Sequence, residues 1–418
     1  MAGDVLGHFV PYHKLAVLVA VITTVVFSIA FSHSIVFEAK TSVIDLDQTR
    51  WSAGLIEKVN ASPYVSIVEV LHTPAEVRSM VRNDRSQAVL YIPKGAEEHV
   101  TKGDRQVHLG LYLDDSNSAQ NGELTSRITS IVNELGAETA IGRGDGVSSL
   151  GANSEETRAM IAPLALGTRS ITNPTSQSTT GTTANFLIFF STMYQGLSAL
   201  MLVGRLKVEH RWGSAVLPAG LAAFLTRAVP YAFVYMAVVM AALAVLVTFG
   251  QMRFAGNPAL FALALFLTGL ANVWVAVLLS WNAQNPGDGA GKMIFLVPPG
   301  FILGGMTFAL TSPHEFVQWA AWGIPLSWIF KFWRDQGLRG VTVSDDLALL
   351  GAMLVYLAAL ALLVGILFWR AQAKRRIEVE EAWRDLAAVK RPGERQEERP
   401  EESPDERPEP VKAEAPAR

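Results

Sequence analysis

Residues 15–37 read LAVLVAVITTVVFSIAFSHSIVF, an apolar run with no Asp, Glu, Lys or Arg. The run stands alone. Roughly 145 mostly polar residues follow it, and then five more apolar runs come near 184–204, 228–249, 258–280, 293–311 and 347–370. Each is about 19–24 residues long, enough at ~1.5 Å per residue to cross a ~30 Å hydrocarbon core. None carries a charged side chain in its interior. The spacing predicts a membrane protein, an α-helical bundle of six spans with an α/β extracytoplasmic domain inserted after the first helix. The expected division is a cytoplasmic N-terminus and first span over 1–37, the outer domain over 38–183, a five-helix bundle over 184–372, and a cytoplasmic helical extension and disordered tail over 373–418.

Composition agrees. Half of the 418 residues are hydrophobic, 17% are charged and the mean hydropathy is +0.27, too apolar for a soluble chain of this length. No basic stripe, zinc-finger spacing or interleaved aromatic platform marks a nucleic-acid partner. Cysteine is absent, which excludes disulfides, thiolate metal sites and cysteine nucleophiles. The first run exceeds the about 7–15 residues of a signal-peptide core and lacks a clean A-x-A site, so it is expected to be an uncleaved anchor.

Lys and Arg in the short loops set the expected orientation. Arg205, Lys207, Arg211 and Arg227 follow the second span, and Lys374, Arg375 and Arg376 follow the last. Six crossings with both termini cytoplasmic satisfy this pattern. The segment between spans five and six, with Lys331, Arg334 and Arg339, is basic yet must lie outside. It also holds Trp319, Trp322, Trp328, Trp333 and Pro325, which reads as a re-entrant pair of short helices at the membrane boundary. An aromatic belt and a substrate gate both remain open as its role.

In the outer domain, alternating or apolar runs at 41–46, 65–70, 87–92 and 107–113 read as strands. Helical patterns lie at about 49–60, 74–83 and 117–140, the second starting at Thr73-Pro74. Residues from about 142 to 183, rich in Gly, Ser, Thr and Asn, read as a loose return to the membrane. From about 391 the chain is Pro, Glu and Arg with little apolar surface to offset its ordering entropy.

No catalytic or metal-ligand constellation is apparent. Gly287-Asp288-Gly289-Ala290-Gly291-Lys292 imitates a phosphate loop, but Pro286 and Met293 stand where glycine and Ser/Thr are required, so it reads as a flexible cytoplasmic turn. Gln195 and Asn272 are polar groups inside spans, expected to bond helix to helix. Without an intramembrane carboxylate or arginine, a proton- or sodium-coupled carrier lacks its coupling group. After span two, a short helix around Glu209, Arg211 and Trp212 would lie along the inner membrane surface with charges toward the cytosol and Val208, Trp212 and Val216 toward the bilayer or bundle. It is either an anchor or a docking element.

Several stretches carry a family resemblance. Val43-Ile44-Asp45-Leu46-Asp47-Gln48, Ala61-Ser62-Pro63-Tyr64, Ala88-Val89-Leu90-Tyr91-Ile92-Pro93 and Leu113-Asp114-Asp115-Ser116-Asn117 lie in the outer half. Glu209-His210-Arg211-Trp212-Gly213-Ser214, Arg227-Ala228-Val229-Pro230-Tyr231 and Pro299-Gly300-Phe301-Ile302-Leu303-Gly304-Gly305 lie in the membrane half. In order and spacing the chain resembles the permease subunits of type-2 ABC transporters, in the branch with a large outer domain after the first span. Ala215 and Val216 replace the carboxylate usual after the Gly-Thr/Ser pair.

The resemblance implies the transmembrane subunit of an ATP-driven exporter in a bacterial inner membrane, moving a hydrophobic or amphipathic cargo outward. Its partners would be a separate ABC ATPase subunit, a second permease subunit (identical or paralogous) and membrane lipids, and it admits a periplasmic adaptor. ATP and magnesium would belong to the ATPase, with no cofactor or metal held by this chain. Glu209, Arg211, Trp212, Gly213 and Ser214 would form the coupling helix, within about 205–218. Asn185, Thr192 and Gln195 of span two and Gly300, Gly304 and Gly305 of span five would line a translocation seam. The alternative is a membrane-anchored assembly protein whose outer domain recruits a partner without transport.

Overall fold

The computed structural model describes residues 38–81, 85–114, 118–142, 162–172, 182–296, 299–300, 303 and 315–390. The first apolar run, most of the fifth, and the tail from 391 lie outside the described residues.

The outer domain is built on five strands, β1 (Ala39–Asp45), β2 (Val65–Leu71), β3 (Ala88–Ile92), β4 (Val107–Leu113) and β5 (Leu164–Ser170), in the order β2-β1-β3-β4-β5. β1 runs parallel to β2 and β3, β3 and β4 are antiparallel, and β4 runs parallel to β5. β1 and β3 are buried on both faces. Val43 and Leu90 enter one core with Leu55 and Val59, whereas Ile44 and Val89 enter another with Met80 and Val81. Helices therefore cover both faces of the sheet: α1 (Arg50–Asn60) lies against one and α2 (Val77–Val81) against the other.

Local chemistry explains these boundaries. Thr49 and Ser52 form a reciprocal capping box at the start of α1. Buried Asp45 accepts from the backbone of Asp47 and Gln48 and from the Ser52 hydroxyl, which fixes the turn from β1 into α1. Asp47 in turn accepts three backbone N–H groups of Gly95, Ala96 and Glu97 at the start of α3 (Ala96–Lys102). The expected helix from Pro74 begins only at Val77. The final helix of the domain, α4 (Ser118–Gly142), is close to its expected bounds. β5 is a correction to the loose return read at 142–183: its sequence LALGTRS has no clear alternation, and pairing along the whole of β4 makes it a strand.

In the membrane half, α5 (Ala184–Val208), α6 (Ala228–Phe249), α7 (Pro258–Ser280) and α11 (Val343–Lys390) are the long helices. Between α7 and α11 lie α8 (Pro286–Gly291), α9 (Glu315–Trp322) and α10 (Pro325–Phe332). Among the described residues four helices are long and apolar enough to cross a membrane, α6 being joined there by the short helix before it. α7 is the centre of the bundle, with 56% of its most apolar stretch buried against 22% for α6. Asn257 caps it, accepting from Ala259 and Leu260, with Pro258 in its first turn. Its Ala264, Ala271 and Ala276 are fully buried, so neighbouring helices approach closely there.

The tryptophan-rich segment is a helix pair broken at Gly323–Ile324 and continued by a π-helical segment, Trp333–Arg339. The aromatic-belt reading suits the exposed Trp319. Trp328 and Trp333 are core residues, the first stacked on Tyr356 and the second packed on Phe254 and Phe261.

Candidate functional site

At one end of the bundle α5 runs out as a charged tip. His210, with φ of 55°, breaks the helix in the left-handed region, and a π-helical turn over Trp212–Val216 follows. Glu209 is exposed and sits between two guanidiniums, accepting from Arg205 at 2.7 Å and pairing with Arg211 at 3.5 Å. The Arg205 hydrogen bond, aided by Arg211, holds its carboxyl below the usual carboxylate range. The Ser214 hydroxyl donates to the His210 carbonyl at 2.6 Å, closing the turn. Arg211 and Ser214 are exposed and Gly213 is half-buried, so the polar groups expected at a docking surface lie together on one tip.

The tip has a rigid mount. Trp212 meets Trp281 edge to face at 5.2 Å and Phe224 at 5.7 Å, and Phe224 meets Trp281 at 6.1 Å. Lys207 donates to the Trp281 carbonyl at 3.0 Å, with its ammonium 5.8 Å from the Trp212 ring. Val216 is buried in the bundle, whereas Val208 is 55% exposed. Lys207, Phe224 and Trp281 were not legible as site residues. The signal available was Trp281 at the end of an apolar run, where an indole is commonplace.

The glycine stretch that imitates a phosphate loop belongs to the same end. It is not a flexible turn: Pro286–Gly291 is the helix α8, capped by Asn285, whose side chain accepts from Asp288 N–H at 2.9 Å. A Cβ on Gly204 would lie 2.2 Å from the Asn285 carbonyl oxygen, and one on Gly289 would lie 2.2 Å from that of Leu200. Gly204 and Gly289 thus serve backbone-to-backbone contact between α5 and α8. Among the described residues no three His, Asp or Glu side chains gather as a metal site.

Deeper in the bundle, the polar residues of span two turn toward α7 and α6. The Thr192 and Tyr235 hydroxyls are 2.7 Å apart. Asn272 donates to the Thr192 carbonyl at 2.9 Å and to Gln195 Oε1 at 3.0 Å, and Gln195 donates to the Gly269 carbonyl at 3.0 Å. Asn185 is half-buried near the start of α5, and Gly300 is buried with a Cβ position 3.3 Å from Leu326. Gly304 and Gly305 lie outside the described residues. Thr192 and Gln195 are thus brought together with Asn272. Beside them a cleft of about 540 Å³ opens between α5 and α6, lined by Ser191, Tyr194, Ser198, Tyr231, Val234 and Val238 among others.

At the opposite end of the bundle lies a charged cluster. Lys331, Arg334, Asp335 and Arg339 are all buried. Asp335 pairs with Lys331 at 2.9 Å and with Arg339 at 2.9 Å, and Arg339 reaches Asp114 at the end of β4. Charges neutralised this way do not act as free positive charge, which is why this basic segment can lie on the side of the outer domain. The four-residue spacing of Lys331, Asp335 and Arg339 was readable, but the partner from the outer domain, 225 residues away, was not.

A large α/β unit joined to a bundle of apolar helices long enough to cross a membrane is the build of a membrane-integral protein. The chain belongs to the ABC-2 family of transporter proteins, whose family model matches residues 15–370. It is a membrane component, the non-enzymatic type of subunit that works with a partner ATPase. No curated protein matches it. A solved domain described as part of an ABC type-2 transporter from Thermotoga maritima MSB8 is similar over 32% of this chain and 85% of its own length, at 17% identity and a TM-score of 0.24. That score is too low to build on.

Proposed function

We propose that the chain is the permease subunit of an ATP-driven exporter that moves a hydrophobic or amphipathic substrate outward. A separate ATPase subunit binds ATP and magnesium, and a second permease subunit, identical or paralogous, completes the pathway. The protein sits in a bacterial inner membrane with both termini cytoplasmic.

One observation carries this reading: the Glu209–Ser214 tip is exposed and charged, yet held rigidly by Trp212, Phe224, Trp281 and the Gly204–Asn285 contact. Force applied at the tip passes directly to α5 and α7, whereas a mere interfacial anchor would need no such mount. The hydrogen bonds of Thr192 and Gln195 to α7 make these two helices one moving wall. Asn185, Thr192, Gln195 and Gly300, with Gly304 and Gly305, belong to the seam that this wall opens. The mostly apolar cleft between α5 and α6 suits a cargo with a long hydrophobic part.

Reversing the charges, Glu209→Lys with Arg211→Glu, tests the assignment. Exposed ion pairs are worth only about 0–1 kcal/mol to the fold but govern docking. The variant should insert normally and lose co-purification with the ATPase. Retained association and transport would refute the docking role. A parent protein that co-purifies with no ATPase would favour the assembly-protein reading.

A further inference from the structure

The π-helical segment Trp333–Arg339 joins three parts of the protein. Its Gln336 accepts from the backbone of Gly256 at 2.7 Å and, through Oε1, from that of Asn257 at 2.8 Å, so it holds the hairpin between α6 and α7. The same side chain donates to Asp346 in the first turn of α11 and to the Val341 carbonyl. Gly340 ends the segment with φ of 65°, and a Cβ there would lie 2.9 Å from the Ala255 carbonyl, so a side chain is excluded on both counts. The third part is the outer domain, reached by Arg339. Its Nη1 donates to Asp335 Oδ1 at 2.9 Å, its Nε to Asp114 Oδ2 at 3.1 Å, and its Nη2 also to Asp114.

The Arg339 and Asp114 side chains are 5% and 4% exposed. Asp114 is itself anchored: its backbone N–H donates to Gln87 O, its carbonyl accepts from Asn121, and its Oδ1 accepts from Thr172 just past β5. Pulling the outer domain off the bundle would therefore break both charge-assisted hydrogen bonds between Arg339 and Asp114, leaving Arg339 to Asp335 and Asp114 to Thr172. The planar fork also resists rotation, which a single point charge would allow.

We infer that Arg339 is a positioning residue that makes the outer α/β domain follow the membrane bundle, so that movement of the α6–α7 hairpin is passed to the sheet through Asp114. The static part of this inference stands without the proposed function; only its nucleotide-driven part rests on that reading.

The full chain in lipid nanodiscs, spin-labelled at Glu57→Cys and Arg253→Cys, reports the geometry. Both positions are exposed, one on α1 and the other on the hairpin. The parent should give a narrow distance distribution. Asp114→Asn should broaden it, and Arg339→Lys, which keeps the charge and loses the fork, should broaden it less. Lys331→Met also removes a buried partner of Asp335 but spares the Arg339–Asp114 contact, so it should leave the distribution narrow. Parent-like distributions in both Asp114→Asn and Arg339→Lys would overturn the inference, as would equal broadening by Lys331→Met. If Asp114→Asn fails to fold, the comparison of Arg339→Lys with Lys331→Met still decides. With a bound ATPase, Asp114→Asn should lose the nucleotide-dependent distance shift while hydrolysis continues. A persisting shift would overturn coupling through this residue, and absence of any ATPase would count against the proposed function alone.

Discussion

Adding one methyl group at Gly204 should loosen the joint that supports the charged tip. The new Cβ would lie 2.2 Å from the Asn285 carbonyl oxygen, 2.3 Å from its carbon and 2.8 Å from Pro286 nitrogen, all backbone atoms. Ordinary contact begins near 3.4 Å, so α8 and α5 must separate by about 1.2 Å, the difference between 3.4 and 2.2. No side-chain rotation can relieve this. Overpacking of that kind typically costs about 1–3 kcal/mol. Gly289→Ala strikes the Leu200 carbonyl from the opposite side at 2.2 Å, so its cost should be similar. The two together should cost less than the sum, because one separation relieves both clashes. Gly291→Ala, with no atom within 4 Å, is the internal control and should be neutral. Thermal unfolding of the purified protein, followed by tryptophan fluorescence, measures the stability, and ATPase co-purification measures the consequence. Gly204→Ala and Gly289→Ala should lower both, and Gly291→Ala neither. Equal melting temperatures for all three would mean that this stretch is the flexible turn its composition suggests, and the reasoning would fail.

Asn272→Leu should destabilise the bundle by about 1–3 kcal/mol, since intramembrane hydrogen bonds average roughly 0.6 kcal/mol with higher values near 1–2 and an amide left without its partner adds to the loss. Thermal unfolding beside an Asn185→Leu control checks it, because Asn185 is only half-buried; equal effects would deny the network its importance. The sidedness is checked in this cysteine-free chain by Glu57→Cys and Ser214→Cys, both exposed. An impermeant thiol reagent should label them from opposite faces of the membrane, and labelling from the same face would overturn the orientation.

Four of the apolar spans, the α/β character of the sheet domain and the polar content of the tip were legible from sequence because each depends on local pattern. An apolar run of about 20 residues has no other stable place than a membrane or a buried core, and a short alternating run such as VHLGLYL carries its pairing face with it. The family resemblance rested on the same local stretches. β5 was not legible, because its strand character comes from β4 beside it and not from its own seven residues. The glycines at 287, 289 and 291 look alike in sequence, yet only the packing of α8 on α5 makes Gly289 a contact point and leaves Gly291 in open space. Arg339 looked like one more interfacial charge until the fold brought Asp114 to it from 225 residues away. Composition and period determine which segments leave water. Which buried charge meets which partner depends on distances between elements far apart in the chain, and only the tertiary structure decides those.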